Sequence, residues 1–203
     1  MPSYRPSRNS LVTLALTSFV AFTLGACAPA PPLTIAAPEP APARARRSPL
    51  AELPSTGLVL VVYKGARTLA VYRDGRFDRR YAVVFGKQPN GRKRYQGDMR
   101  TPEGLYRVKS KAHHPRWRQF IAIDYPNSSD IEEYKREIAR GRVPAISGEN
   151  LDIGSGLGIH GNDRPVEQIN GDNWTKGCVA MRNDDVDELA SLVPVGTPIL
   201  FLP

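Results

Sequence analysis

A chain of 203 residues with 28 Lys and Arg against 20 Asp and Glu has a formal charge of +8, and its length suits one domain of ordinary size rather than several. Two cysteines exclude a multi-disulfide scaffold. The first residues inflate the charge: from Gly57 onward, 23 Lys and Arg face 18 Asp and Glu, which leaves +5.

The chain opens with Arg5 and Arg8, then an uncharged apolar run from Leu11 to Leu24. That run has the length of a signal-peptide core and is short for a membrane-spanning helix. It ends in Leu24-Gly25-Ala26-Cys27. Small residues and then a Cys after such a core have the form of a bacterial lipoprotein cleavage box. The expectation is a signal peptide over 1–26 and lipidation of Cys27. An ordinary signal peptide cut near Ala26 or Ala28, or an uncleaved anchor, is the other reading. Ala28 rather than Asp after the Cys favours the outer membrane, on its periplasmic face. Residues 27–56 are rich in Pro and Ala, with Arg44, Arg46 and Arg47 clustered. They lack the large apolar residues of a core and read as an extended, largely disordered tether. An exported, anchored chain argues against nucleic acid as the partner of the basic charge.

From Gly57 to the end the chain reads as a single region, 57–203. Leu58–Tyr63 and Thr68–Arg73 are β-rich runs joined by a turn at Lys64-Gly65-Ala66-Arg67. Asp74-Gly75 is a second turn, and Tyr81 to Phe85 a third strand. Gly86 to Arg100 is polar and reads as a long loop. Strands are expected over Gly104 to Lys111 and Gln119 to Tyr125. Ser129-Asp130-Ile131-Glu132 has the form of a capping box, with Ile131, Tyr134 and Ile138 at helical spacing and Gly141 as the stop. Asn183 is the expected cap of a second helix carrying Val186, Leu189 and Val193 before Pro194. Val195 to Leu202 is a closing strand. The sum is a mainly β domain with two short helices.

The chemistry-bearing stretch is Thr175-Lys176-Gly177-Cys178, fourteen residues after His160-Gly161. A Cys attacks carbonyls as its thiolate and needs a nearby base. Histidine suits that role near neutral pH. Gly177 lets the backbone bend and turn N–H groups toward a developing oxyanion. If Cys27 is lipidated, Cys178 has no disulfide partner within the chain.

This pattern resembles the signature of the L,D-transpeptidase (YkuD-type) catalytic domain. Gly97-Asp98-Met99-Arg100-Thr101-Pro102-Glu103-Gly104-Leu105-Tyr106 is similar to that family's GD…TPEG.Y segment. Asp124-Tyr125-Pro126-Asn127 resembles the YPN segment of its murein branch, which reads Trp-Thr-x-Gly-Cys. Lys176 stands where many members have His, and Ala180 where many have Arg or Asn. The resemblance implies a β-sandwich-like catalytic fold and a cysteine acyltransferase. In that reaction Cys178 forms a thioester with the L-centre of the third residue of a peptidoglycan tetrapeptide stem. D-alanine leaves, and an amine takes the acyl group. A stem amine, a D-amino acid or an outer-membrane protein or lipoprotein is a possible acceptor. The alternatives are a hydrolase of related L,D bonds and a catalytically degenerate peptidoglycan-binding scaffold.

The resemblance also assigns roles. Cys178 is the nucleophile and His160 the base, oriented by the backbone carbonyl of Gly161. The N–H groups of Gly177 and Cys178 are the oxyanion donors. Thr175, Lys176, Trp174 and Arg182 are candidate substrate contacts, with Arg164 and Trp117 weaker ones. No cofactor is implied. His113 and His114 with His160 are enough histidines for zinc, yet no metal-ligand spacing accompanies them, so no metal is expected.

Overall fold

The computed structural model describes residues 49–163 and 172–203. The expected signal peptide, Cys27, the expected tether as far as residue 48 and Arg164 lie outside the described residues.

Among the described residues, ten strands and two α-helices follow in order: β1 (Leu58–Tyr63), β2 (Thr68–Arg73), β3 (Arg76–Ala82), β4 (Gly104–His114), β5 (Arg118–Ile123), α1 (Ser128–Ala139), β6 (Ala145–Ile146), β7 (Glu149–Asn150), β8 (Gly158–His160), β9 (Val179–Ala180), α2 (Asn183–Leu192) and β10 (Pro198–Leu202). Eight of the strands form one sheet in the order β3-β2-β1-β10-β4-β5-β8-β9, and β6 and β7 make a separate small hairpin. Beyond β3 the chain reaches Val84, which exchanges both backbone hydrogen bonds with Ala180 of β9, each 2.9 Å. The last strand thus meets the continuation of the first, and the sheet curls on itself.

β1 and β2 have the bounds expected from their apolar runs. Their middles are fully buried, with Leu60, Val62, Leu69 and Val71 at 0% exposure. The third strand starts earlier than expected. The two-residue turn at Asp74-Gly75 lets Arg76 pair at once with Arg73, so the polar stretch Arg76–Arg80 becomes an edge strand. β4 likewise runs past Lys111, because its antiparallel pairing with β5 continues to His114 opposite Arg118. His113 and His114 therefore end a strand.

Both helix caps differ from the expectation. The N-cap of α1 is Asn127, whose side chain accepts from the N–H of Ser129 and Asp130, while Asp130 reaches back to the N–H of Asn127. Asp130 also accepts from the Tyr106 hydroxyl at 2.8 Å inside the domain, a bond that a cap at Ser129 would forgo. In α2 the N-cap is Arg182 and makes no side-chain cap. Asn183 instead turns its Oδ1 toward the N–H of Asn162, at 2.8 Å. The apolar faces also differ. Val186 and Leu189 of α2 are buried as expected, but α1 exposes Ile131 and buries Glu137. Within the expected tether, Pro49–Glu52 form one 3-10 turn, and Leu50 and Leu53 line a cavity with Val59, Val61 and Tyr72.

Glu137 is 2% exposed and is held by Arg142 through both carboxylate oxygens, by Arg140 at 3.1 Å and by Arg94 at 3.3 Å. Arg94 belongs to the long loop before β4, so this carboxylate ties α1 to that loop. The arginine hydrogen bonds, Arg142 first, pull Glu137 from its ordinary 4.5 down to about 2. A depressed carboxylate contributes stability above its unfolded value and loses it as pH falls through its folded value. Stability measured by denaturant titration should therefore decline between pH 4.5 and about 2. Glu137→Gln should flatten that part of the profile, and an unchanged profile would show that the arginines do not bind the charge.

Candidate active site

His160 lies in β8, paired with Phe120 of β5 on one side and with Ala180 of β9 on the other. The parallel register sets Ile159 against Val179. One residue back, Cys178 falls across from Gly158. Side chains alternate along a strand, so Cys178 shares a face with His160, two residues beyond Gly158. Seventeen residues separate the two in sequence, and strand pairing brings them to one wall.

The loop bearing Cys178 is bound on its other side to residues 84–87. Thr175 donates its N–H to Phe85 O at 3.0 Å and accepts from Lys87 N–H at 3.1 Å. Asn173 Oδ1 accepts from Phe85 N–H at 2.9 Å. The buried Thr175 hydroxyl donates to Cys178 O at 2.7 Å and accepts from Gly177 N–H at 3.1 Å. Thr175 thus shapes the turn. Its hydroxyl also engages one of the two amides expected to serve an oxyanion. The Gly177 N–H is occupied, so of the two amides expected to serve an oxyanion only that of Cys178 makes no hydrogen bond among the described residues. Glycine at 177 has a different necessity: its φ is +137°, and a Cβ there would lie 2.8 Å from Arg100 O.

Two cavities meet at Cys178. One, of about 450 Å³, is lined by Trp117, His160, Trp174, Thr175 and Lys176 among others, including the cations Lys87 and Arg116. The other, of about 310 Å³, runs along Gly154–Leu157 and is lined by Lys93, Met99 and Lys176. Of the candidate substrate contacts, Trp174 and Lys176 line these cavities, whereas Arg182 stands exposed at the N-cap of α2 and lines neither. Lys87, Lys93 and Met99 had no local signal, because pairing and loop closure bring them here from the long loop. Among the described residues, no group of three or more His, Cys, Asp and Glu side chains could hold a metal ion.

That loop is organised by Asp98, 8% exposed, which accepts from Lys93 Nζ and from the N–H of Arg94, Tyr95 and Arg100. Thr101 Oγ1 then holds the N–H of Gly86, and Glu103 pairs with the buried Lys64 at 2.7 Å. The GD…TPEG segment therefore acts as the loop's internal scaffold beneath Cys178.

The electrostatics are those of a neutral resting pair. His160 is 2% exposed, and its Nδ1 lies 2.6 Å from Gly161 O. A carbonyl only accepts, so the neutral ring carries its proton on Nδ1 and keeps the Nε2 lone pair free. Burial lowers the His160 pKa; the Gly161 carbonyl opposes this, His114 adds to it and Asp163 opposes it. Burial likewise raises the Cys178 thiol, against the Gly158 amide and the Lys93 charge. Desolvation disfavours both charged forms, so thiol and imidazole stand uncharged at neutral pH.

Comparison with known proteins agrees with this geometry. The family model for the YkuD L,D-transpeptidase catalytic domain matches residues 57–200. A Bacillus subtilis (strain 168) protein named "Putative L,D-transpeptidase YqjB" is 32% identical over 155 residues, covering 75% of this chain and 76% of that one. Among solved structures, Bd1075 of Bdellovibrio bacteriovorus is 26% identical with a TM-score of 0.50, over 72% of this chain and 48% of that one. The helical cell shape determining protein Pgp2 of Campylobacter jejuni shares the fold at 24% identity with a TM-score of 0.52, over 71% of this chain and 47% of that one. The chain thus spans about half the length of these solved relatives. With the family model covering most of its length, this chain belongs to the YkuD family of L,D-transpeptidase catalytic domains.

Proposed function

We propose that the chain is a cysteine acyltransferase that acts on peptidoglycan tetrapeptide stems. The observation that carries this reading is the Cys178 thiol on one wall with the buried His160 imidazole, beside a Cys178 amide that makes no hydrogen bond among the described residues. Nε2 of His160 takes the Cys178 proton as sulfur attacks the carbonyl at the L-centre of the third stem residue. The tetrahedral oxyanion is held by Cys178 N–H. Collapse breaks the amide, His160 returns its proton to the leaving amine of D-alanine, and a thioester remains. An amine acceptor then attacks the thioester, gives its proton to His160 and restores the thiol. Cavities on both sides of Cys178 leave room for a chain on each side of the reacting carbonyl. Lys176, exposed and lining both, suits a stem carboxylate. Purified domain incubated with tetrapeptide muropeptides, followed by mass spectrometry, tests the reading: cross-linked product supports transfer, stems merely shortened support hydrolysis, and unchanged stems sink both. In the same reading Cys27 carries a lipid anchor that holds the domain at the periplasmic face of the outer membrane.

His160→Ala should slow acylation by about 10²–10⁴-fold, the usual contribution of a positioned base. Cys178→Ser should abolish product while leaving the melting curve unchanged, because a serine hydroxyl is far less acidic than a thiol. The lowered His160 pKa has a definite sign: the base stays neutral to a lower pH than ordinary histidine. The acid limb of kcat/KM should thus fall below the ordinary imidazole range, and a limb above it would contradict the buried neutral ring.

A carbapenem should acylate Cys178, since its strained lactam carbonyl presents the same electrophile. Intact mass should rise by a single adduct in the wild type and stay constant in Cys178→Ala. Absence of the adduct at saturating drug would count against a reachable thiol.

Cys27→Ala should release an active, soluble domain, since acyl chains contribute about 0.8 kcal/mol of membrane affinity per buried CH₂. Continued sedimentation of that variant with membranes would refute the anchor.

A further inference from the structure

The tip of the β4–β5 hairpin, residues 114–118, closes over β8 beside Cys178. Trp117 occupies it. Its ring stacks on that of His160, with centroids 4.4 Å apart and planes at 21°. It stacks also on His114, at 4.5 Å and 14°. Phe120, the β5 partner of His160 in register, lies nearly parallel to the same imidazole at 6.2 Å and 12°. The backbone of Trp117 is engaged as well. Its carbonyl accepts from Gly161 N–H at 2.9 Å and from Gln119 N–H at 2.7 Å. A Cβ at Gly161 would lie 2.5 Å from that carbonyl and 2.4 Å from Asn183 Oδ1, so only glycine permits this approach. His114 Nδ1 accepts from the N–H groups of Arg116 and Trp117, both at 3.2 Å, and Arg116 pairs with Asp163 just past Gly161. Ring and carbonyl of one residue therefore grip His160 and its successor.

We propose that Trp117 is a positioning residue that fixes the plane of the His160 imidazole beside Cys178. The physical need is specific. The second side-chain torsion of histidine is broad and roughly two-fold, so a bare imidazole rotates and flips at little cost. The Nδ1 contact with Gly161 O holds one edge of the ring. It does not fix the plane, because a single hydrogen bond leaves the ring free to tilt about that contact. Stacking against the flat indole fixes the plane, and the hairpin carrying the indole is hydrogen-bonded to the next residue of the chain. The indole also removes one ring face from water, which contributes to the burial that keeps the base uncharged. His114 and Asp163 are the charged or titratable groups that also act on this ring.

The proposal rests on the reading of His160 as base to Cys178. Its test uses thiol alkylation by iodoacetamide across pH as well as turnover of tetrapeptide muropeptides. Trp117→Ala should lower kcat by about tenfold to a hundredfold, the scale of a small misplacement of a reacting group, with KM within about threefold. The His160-dependent inflection in the alkylation profile should move up toward ordinary histidine. Trp117→Phe, which keeps a flat ring, should recover most of the loss; Trp117→Leu, which keeps bulk without a ring, should not. Should the Ala variant fail to fold, the Phe and Leu pair decides alone. A rise in KM with kcat and alkylation profile unchanged would make Trp117 a substrate wall only and overturn the proposal. Equal losses in Phe and Leu would overturn it as well. If alkylation depends on His160 while no muropeptide product forms, the functional reading fails and the positioning role is still decided by the profile.

Discussion

The pairing of Val84–Lys87 with Asn173–Ala180 is the constraint on which the rest of the structure depends. It closes the curled sheet through the Val84–Ala180 bridge and clamps Thr175 between Phe85 O and Lys87 N–H. The loop bearing Cys178 is therefore not a free excursion from the fold. Backbone bonds hold it on one flank, and the parallel register with β8 holds it on the other. A loop fixed at both flanks can present a thiol and an unengaged amide with little reorganisation, which is what electrostatic stabilisation of an oxyanion requires.

The same closure explains why so much polar chemistry sits inside a small β domain. The loop from Gly86 to Arg100 has to pass close beneath Gly177, where no side chain fits. It carries no regular structure to satisfy its backbone, so a buried carboxylate does it: Asp98 collects three amides and the Lys93 ammonium. Buried polar groups that lack partners are costly, and this set is mutually satisfied. Lys93 then stands at the second cavity with a charge that opposes the desolvation of Cys178. Loop scaffold and site electrostatics are one arrangement.

Desolvation governs both reacting groups. It raises the thiol and lowers the imidazole, so the resting state is neutral where many reactive cysteines rest as ion pairs. Under the proposed function, proton transfer is then coupled to attack on the carbonyl, and ring orientation matters more than resting charge. The stack of His114, Trp117 and His160 bears on that orientation.

Strong local patterns were legible from residues alone. Leu58–Tyr63 and Thr68–Arg73 became strands with those bounds, because alternation and apolar content there agree with burial. Val186 and Leu189 packed inward as their spacing demanded. His160 and Cys178 were recognisable as candidates because their motif is contiguous around each. The β8 and β9 strands were not legible: three residues and two residues carry no period, and they exist only because β5 and Val84 offer partners. Nor were the caps, since Asp130 chose its partner by reaching Tyr106 across the core. Of the expected pair of oxyanion amides, that of Gly177 is engaged by a threonine hydroxyl two residues away. Sequence by itself determined which residues could do chemistry and which segments had to be buried, because both follow from side-chain type and local spacing. Tertiary structure alone decided which amide stays unengaged, which aromatic faces the imidazole and where Lys93 stands, because each depends on contacts between segments far apart in the chain.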